Sequence, residues 1–251
     1  SGFHVQATGA IRVGGGIEGA NVEAGADIFI KGGIIGSGEG KVHAGGNLTA
    51  RFFENAQVHA NGNIFISNDI VRSTVSADGR IIGTGGKSRI RGGSVSAGKV
   101  IEMNEIGSPA GIITHVSVGV ASEYRERFVD ITKKSAEYRK SKVEMNMLSV
   151  KYDKFSKDKS MTGEVLRKLE TLREQRRKIV VEENRLVKER ESLSKELSGT
   201  DGDPFAVKVK GVVYSGTTVF VSGYAFRVMD DIRGKVTFIL DEEKLSVKMV
   251  R

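Results

Sequence analysis

The sequence predicts a mainly β chain with an α insertion: a parallel β-helix carrying an antiparallel helical hairpin. Three observations predict it. A Val-x-Ala phrase recurs between Val22 and Val118, the apolar period lengthens at about Ser122, and strand alternation returns after Pro204.

The phrase reads Val22-Glu23-Ala24-Gly25, Val42-His43-Ala44-Gly45, Val58-His59-Ala60-Asn61, Val75-Ser76-Ala77-Asp78 and Val95-Ser96-Ala97-Gly98, with a degraded copy at Val116-Ser117-Val118-Gly119. Successive valines lie 20, 16, 17, 20 and 21 residues apart. A constant phrase at uneven spacing is what a coil of short strands produces, because a loop can grow at one corner without disturbing the stack. Alternation puts Val and Ala on one face and the intervening Glu, His or Ser on the other. Gly25, Gly45, Asn61, Asp78 and Gly98 are expected to turn the corner with positive φ. Apolar pairs follow at Ile28 and Ile30, Leu48 and Ala50, and Ile64 and Ile66, and a third apolar position recurs at Ile34, Ile70 and Ile106. Three short strands per turn, stacked about 4.8 Å apart, describe a parallel β-helix. An opening rung is readable in Ile11, Val13 and Ile17, and the pattern frays near Glu102 and Pro109.

At about Ser122 the period changes from two to three and four: Tyr124, Phe128, Ile131, Tyr138, Met145, Leu148, Tyr152 and Phe155. Ser160-Met161-Thr162-Gly163 interrupts it, and Leu172, Ile179, Leu186 and Leu193 then recur at sevens. The companion row is half polar, with Arg176, Glu183 and Arg190. Two arms, Tyr124–Lys157 and Glu164–Leu197, around a short turn make a hairpin of coiled-coil type about 50 Å long. The expected organisation is a β-helix over 1–121, the hairpin over 122–198, and a return to the β-helix over 199–251 with last rungs and a strand cap.

Composition narrows the function. The 251 residues hold no cysteine, which points to a reducing compartment. No run approaches 18 apolar residues, so no membrane span is expected, and no signal peptide opens the chain. Ser1-Gly2 lacks an initiator methionine and reads as a cloning scar, so the chain is expected to be a fragment. The net charge is +8, of which residues 122–198 supply +6 from 21 Lys or Arg and 15 Asp or Glu. Those charges are interleaved, as on a solvated helix, and aromatics are not interleaved with them, so nucleic acid is an unlikely partner. The hairpin suits protein partners, with Met161 at its tip and Arg173, Arg176, Arg177, Lys178, Arg185 and Lys188 along it as candidate contacts. A homodimer through the polar half-row is the alternative.

Candidate chemistry is thin. Gly14-Gly15-Gly16-Ile17-Glu18-Gly19 matches the dinucleotide fingerprint but leads into another repeat instead of a helix, and Gly86-Lys87-Ser88 lacks the first glycine of a phosphate loop. Both read as corners, and no cofactor is expected. His43 and His59 hold the same repeat position on successive turns, with Glu23 one turn earlier. They form a weak candidate metal site, against the plainer reading of an exposed ladder. No Ser-His-Asp or Cys-His arrangement can be argued from four histidines, and no catalytic residue is assigned.

The order of Val-x-Ala-Gly β-helix, inserted hairpin and return through Gly211-Val212-Val213-Tyr214-Ser215-Gly216-Thr217 resembles the flagellar assembly protein A (FapA) family of bacteria. Bactofilins and the C-terminal domain of the division inhibitor MinC share its Gly-rich β-helix. The resemblance covers nearly the whole chain and leaves out the family's N-terminal domain; relatives commonly have proline where Ser215 stands. It implies a right-handed β-helix in a non-enzymatic, cytoplasmic scaffold tied to flagellar assembly or its regulation at the cell pole. The alternatives are a self-polymerising scaffold of bactofilin type and a β-helix enzyme acting on a polysaccharide or acyl donor. The acyltransferase coil needs a strict six-residue period, absent here. A lyase groove cannot be assembled from Asp27, Asp69 and Asp78.

Overall fold

The computed structural model describes residues 3–36, 40–119, 130–131, 134–135, 137–148, 150, 163–197, 205–241 and 246–251. The chain divides into two compact units, one of residues 1–124 with 197–251 and one of residues 125–196.

The first unit is a parallel β-solenoid of three ladders. The first ladder stacks β1 (His4–Ala7), β4 (Asn21–Ala24), β7 (Lys41–Ala44), β10 (Gln57–Ala60), the later half of β12 (Asp69–Ala77) and of β14 (Arg89–Ala97), β16 (Thr114–Val118) and β18 (Thr217–Val221). Its register puts Val5, Val22, Val42, Val58, Val75, Val95, Val116 and Val219 in one column. The repeat therefore runs one copy further at each end than the phrase reveals. The alanines Ala24, Ala44, Ala60, Ala77 and Ala97 are fully buried beside the valines, and the buried Val118 and Val221 continue their column.

The second ladder stacks β2 (Ile11–Val13), β5 (Ile28–Ile30), β8 (Leu48–Ala50), β11 (Ile64–Ile66), β13 (Ile81–Gly83), β15 (Val100–Ile106) and β17 (Ala206–Val213). The third begins with β3 (Ile17–Glu18), β6 (Ile34–Ile35) and β9 (Phe53–Glu54) and continues through the first halves of β12 and β14 to the end of β15. Ile17, Ile34, Phe53, Ile70, Ile90 and Ile106 form its buried column. The apparent fraying near Glu102 is a register shift between Met103 and Glu105, where the strand bulges without leaving the stack.

The glycine corner works differently from the expectation. None of Gly25, Gly45, Asn61, Asp78 and Gly98 adopts the left-handed conformation. Gly45 is there for close approach, since a side chain would run into the carbonyl of Gly25 one turn back. Positive φ occurs instead where the third ladder turns into the first, at Gly19 (54°), Asn55 (49°), Arg72 (43°) and Gly92 (76°). Arg72 tolerates this unfavourable backbone while its Nε donates to Asn55 Oδ1 at 3.0 Å.

A side-chain ladder runs along the corner before the second ladder. Asn47 N–H and Nδ2 donate to Asp27 Oδ1 at 2.6 and 3.4 Å, Asn63 N–H and Nδ2 donate to Asn47 Oδ1 at 2.8 and 3.2 Å, and Arg80 N–H donates to Asn63 Oδ1 at 2.8 Å. Each oxygen thus satisfies a main-chain donor at a corner, where the sheet cannot. Gly46, Gly62 and Gly79 make room for it: an added Cβ would meet Asp27 Oδ1, Asn47 Oδ1 and Asn63 Oδ1 in turn.

The chain leaves the solenoid after β16 and re-enters at β17, which pairs in parallel with β15. Antiparallel strands follow: β19 (Tyr224–Arg227) on β18, β20 (Ile232–Arg233) and β21 (Val236–Asp241) on β17, and β22 (Ser246–Val250) on β21. Ser222-Gly223 is the tight turn of the β18–β19 hairpin, with φ of 46° and 78°.

The second unit is helical. Residues 137–148 are helix, and a later helix spans Gly163–Leu197. Lys142 Nζ donates to Glu183 Oε2 at 2.7 Å, and Lys134 feels the charge of Glu189. Contact numbers that rise on one helix as they fall on the other mean that the two run antiparallel. Ile131 and Leu186 are buried and Tyr138, Met145, Leu172 and Ile179 half-buried, so these residues form the seam.

Candidate functional site

The outward column of the first ladder carries Gln6, Glu23, His43, His59, Ser76 and Ser96 in register. The two imidazoles stack with centroids 5.2 Å apart and planes 18° from parallel, as the strand spacing dictates. Both Nε2 atoms reach Asn61 Oδ1, at 3.1 Å from His43 and 3.0 Å from His59. An amide oxygen only accepts, so each Nε2 carries its hydrogen there. His59 Nδ1 then accepts from Ser76 Oγ at 2.7 Å, while His43 Nδ1 lies 3.8 Å from Glu23 Oε1. Three of the four ring nitrogens are thus taken by hydrogen bonds to Asn61 and Ser76. Among the described residues, no group of three or more His, Cys, Asp or Glu is placed to hold a metal ion.

Ser76, His59 and Asn61 have the connectivity of a nucleophile, a base and an orienting amide, a grouping the sequence did not suggest. The column sits on an open sheet face, however. Neighbouring main-chain donors are committed to the adjacent rung, as in Asn61 N–H to Ala44 O at 2.9 Å and Asp78 N–H to Ala60 O at 3.0 Å. Acyl transfer needs donors about 3 Å from a developing oxyanion, and these amides cannot supply them. The group works as a hydrogen-bonded ladder.

A second polar cluster lies on the third ladder. Asp69 accepts from Arg89 Nε at 2.8 Å and from its terminal nitrogen at 3.2 Å, and from Arg91 at 2.9 Å. The Asp69 hydrogen bond holds the Arg89 pKa above its ordinary value, against a smaller opposing effect of burial. Glu105 pairs with Arg89 across the rung. The alternating charges balance, and the cluster braces the stack.

On the helices, Arg173, Arg176, Arg177, Lys178, Arg185 and Lys188 are all exposed, but the fold separates them. Lys178 lies 3.9 Å from Glu174, and Arg185 lies 3.2 Å from Glu182. Arg173, Arg176 and Arg177 turn to the other flank of the same helix, about 100° being turned per residue. Met161 falls outside the described residues. A helical-wheel count would have exposed this division from sequence. The Asp27–Asn47–Asn63 ladder could also have been found, since each residue stands one position before an apolar strand.

Among the described residues no helix is long and apolar enough to cross a membrane. Searches of curated proteins and of solved structures found no match. The family model of the flagellar assembly protein A (FapA) β-solenoid domain matches residues 1–245, in agreement with the three-ladder solenoid, and the chain therefore belongs to the FapA family of flagellar assembly proteins.

Proposed function

We propose that the chain is a non-enzymatic scaffold for bacterial flagellar assembly or its regulation, acting in the cytoplasm at the cell pole. Its parts in this reading are the β-solenoid of 1–121, a coiled-coil hairpin of 122–198 that captures protein partners, and the solenoid return of 199–251. Membership of the flagellar family supports the cellular role. The observation that carries the partner-binding half is the density of exposed cations on the long helix, Arg173, Arg176, Arg177, Lys178, Arg185 and Lys188, set among its acids. A stable helix gains little from isolated surface charge, so a surface this densely charged suits recognition better than stability. On the outer face of the solenoid the polar side chains of these columns bond to one another along the stack, which supports a structural role for them.

The test is genetic. Residues 122–198 are replaced by a short Gly-Ser linker in a flagellated bacterium carrying this chain as its only copy, and flagella are counted by electron microscopy. The reading expects a folded β protein in the cell and a loss or misplacement of flagella. Normal flagella with normal protein levels would overturn it.

A further inference from the structure

The last strands of the solenoid unit crowd lysines onto one outward face. β17 pairs in parallel with β15 on one side and antiparallel with β21 on the other, so side chains alternate in and out together across the three strands. Val209 and Val236 are buried, which leaves Lys208, Lys210, Lys235 and Thr237 outward, with all three lysines exposed. The antiparallel register sets Lys208 opposite Thr237 and, two residues on, Lys210 opposite Lys235. Opposite residues have Cβ atoms about 4.5–5.5 Å apart, and like charges placed so destabilise the pair.

One carboxylate stands among them. Glu102, in register with Lys208, accepts from Lys210 Nζ at 2.8 Å. Among the described residues Lys208 and Lys235 have no ion-pair partner. The other nearby acids stand at the margins. Glu105 lies in register with Arg89, Asp230 and Asp231 precede β20, where Asp231 Oδ1 accepts from Ser215 N–H at 3.0 Å, and Asp241 ends β21. Arg233, opposite Val212, and Lys248, opposite Ile239, add two exposed cations at the same margins. Between the side chains lies an open hollow of about 240 Å³, lined by the three lysines, Glu102 and Thr237 and by the Val209–Val236 pair between them.

We propose that this hollow binds a small oxyanion of the diphosphate type. The inference stands apart from partner binding by the helices. Three ammonium groups against one carboxylate leave the site with an excess of positive charge, and the Lys210–Lys235 opposition is a cost that a bound anion removes. The Thr237 hydroxyl can donate to the same oxygens. Size narrows the ligand. Pockets for drug-sized molecules run to about 300–1,000 Å³, so this hollow holds a charged group and not a ring system buried with it. At about 30 Å³ per water it has room for roughly eight waters, more than one phosphoryl group uses. Lys208 and Lys210 are spaced about 7 Å along the strand, which suits two linked phosphoryl groups better than one. Nucleic acid is disfavoured because no aromatic platform lines the hollow.

The test titrates inorganic pyrophosphate into the full 251-residue chain by isothermal calorimetry, with ADP in parallel. Lys208→Gln/Lys235→Gln should weaken pyrophosphate binding at least about fivefold, as expected from two partly exposed charge contacts. Lys31→Gln/Lys87→Gln removes the same charge from exposed positions elsewhere on the solenoid and should leave affinity within about twofold. Glu102→Gln removes the one opposing carboxylate and should tighten binding about threefold. Without ligand, Lys208→Gln/Lys235→Gln should melt no lower than the parent chain, because it relieves like charge. Comparable binding of ADP would assign an organic diphosphate, and pyrophosphate binding alone the free ion; either supports the proposal. No pyrophosphate binding, equal losses from the two lysine pairs, weaker binding by Glu102→Gln or a lowered melting temperature would overturn it. So would binding of phosphatidylglycerol vesicles or polyglutamate that needs Lys208 and Lys235 and that pyrophosphate does not displace.

Discussion

Substituting Val58→Asp probes the register of the solenoid where it is most demanding. Val58 is 3 % exposed and lies in column between Val42 and Val75. Losing its buried side chain removes roughly 2 kcal/mol of apolar burial. The introduced carboxyl meets only methyl groups and stays protonated in the fold. Holding a group of ordinary pKa near 3.9 protonated at pH 7 costs about three pH units at about 1.36 kcal/mol each, so ~4 kcal/mol. The total of about 6 kcal/mol rivals the whole stability of a typical domain, ~5–15 kcal/mol. Burial raises the introduced group's folded-state pKa, so its penalty is absent below the unfolded value and grows as pH rises. Acidification to about pH 4 should therefore recover most of the ionisation part. His59→Asp, one residue along, loses its contacts to Ser76 and Asn61 on the open face and should cost about 1 kcal/mol. Thermal melts followed by circular dichroism at both pH values decide the matter. Equal melting temperatures for the two variants at pH 7, or a Val58→Asp deficit that grows on acidification, would refute the reasoning.

Other outcomes follow from the same geometry. Asn47→Ala should strand the Asn63 N–H, now bonded at 2.8 Å, and cost about 1–3 kcal/mol in denaturant titration. Gly62→Ala should be similarly harmful, because its Cβ would stand 2.7 Å from Asn47 Oδ1 and 2.9 Å from the Gly46 carbonyl oxygen; a neutral result would mean that the ladder yields easily. Asp69→Asn weakens contacts to both Arg89 and Arg91, and with these groups partly exposed the expected loss is about 1 kcal/mol, shrinking in high salt. Replacing 122–198 by a Gly-Ser linker should leave a soluble chain with an intact β spectrum, and aggregation would show that the solenoid depends on the helices.

The core column was legible because one face of each strand is buried, and a slip of one residue would expose every valine. The phrase therefore carries the register from Val22 to Val116 without outside help. Val5-Gln6-Ala7, 17 residues before Val22, was legible as a further copy and was overlooked, whereas Val219 is hidden by the long insertion that precedes it. Phe53 and Ile90 were missed in the third column because uneven corners hide a two-residue strand such as Phe53–Glu54. Positive φ was placed at the wrong corner because glycine serves both left-handed backbone and close approach, and sequence alone does not separate the two uses. On the helices, charge counting grouped Lys178 and Arg185 with Arg173, Arg176 and Arg177. The heptad of Leu172, Ile179 and Leu186 already implied a seam that separates the two groups, and the Lys142–Glu183 contact fixes it.

The central claim, that the charged helices serve flagellar assembly, is tested most directly by flagella counts in cells carrying charge-reversed chains. Arg173→Glu/Arg176→Glu/Arg177→Glu should abolish or misplace flagella while the purified chain keeps its wild-type circular dichroism spectrum and melting temperature. Lys178→Glu/Arg185→Glu should flagellate normally. Normal flagella in the first strain, or equal defects in both, would contradict the account.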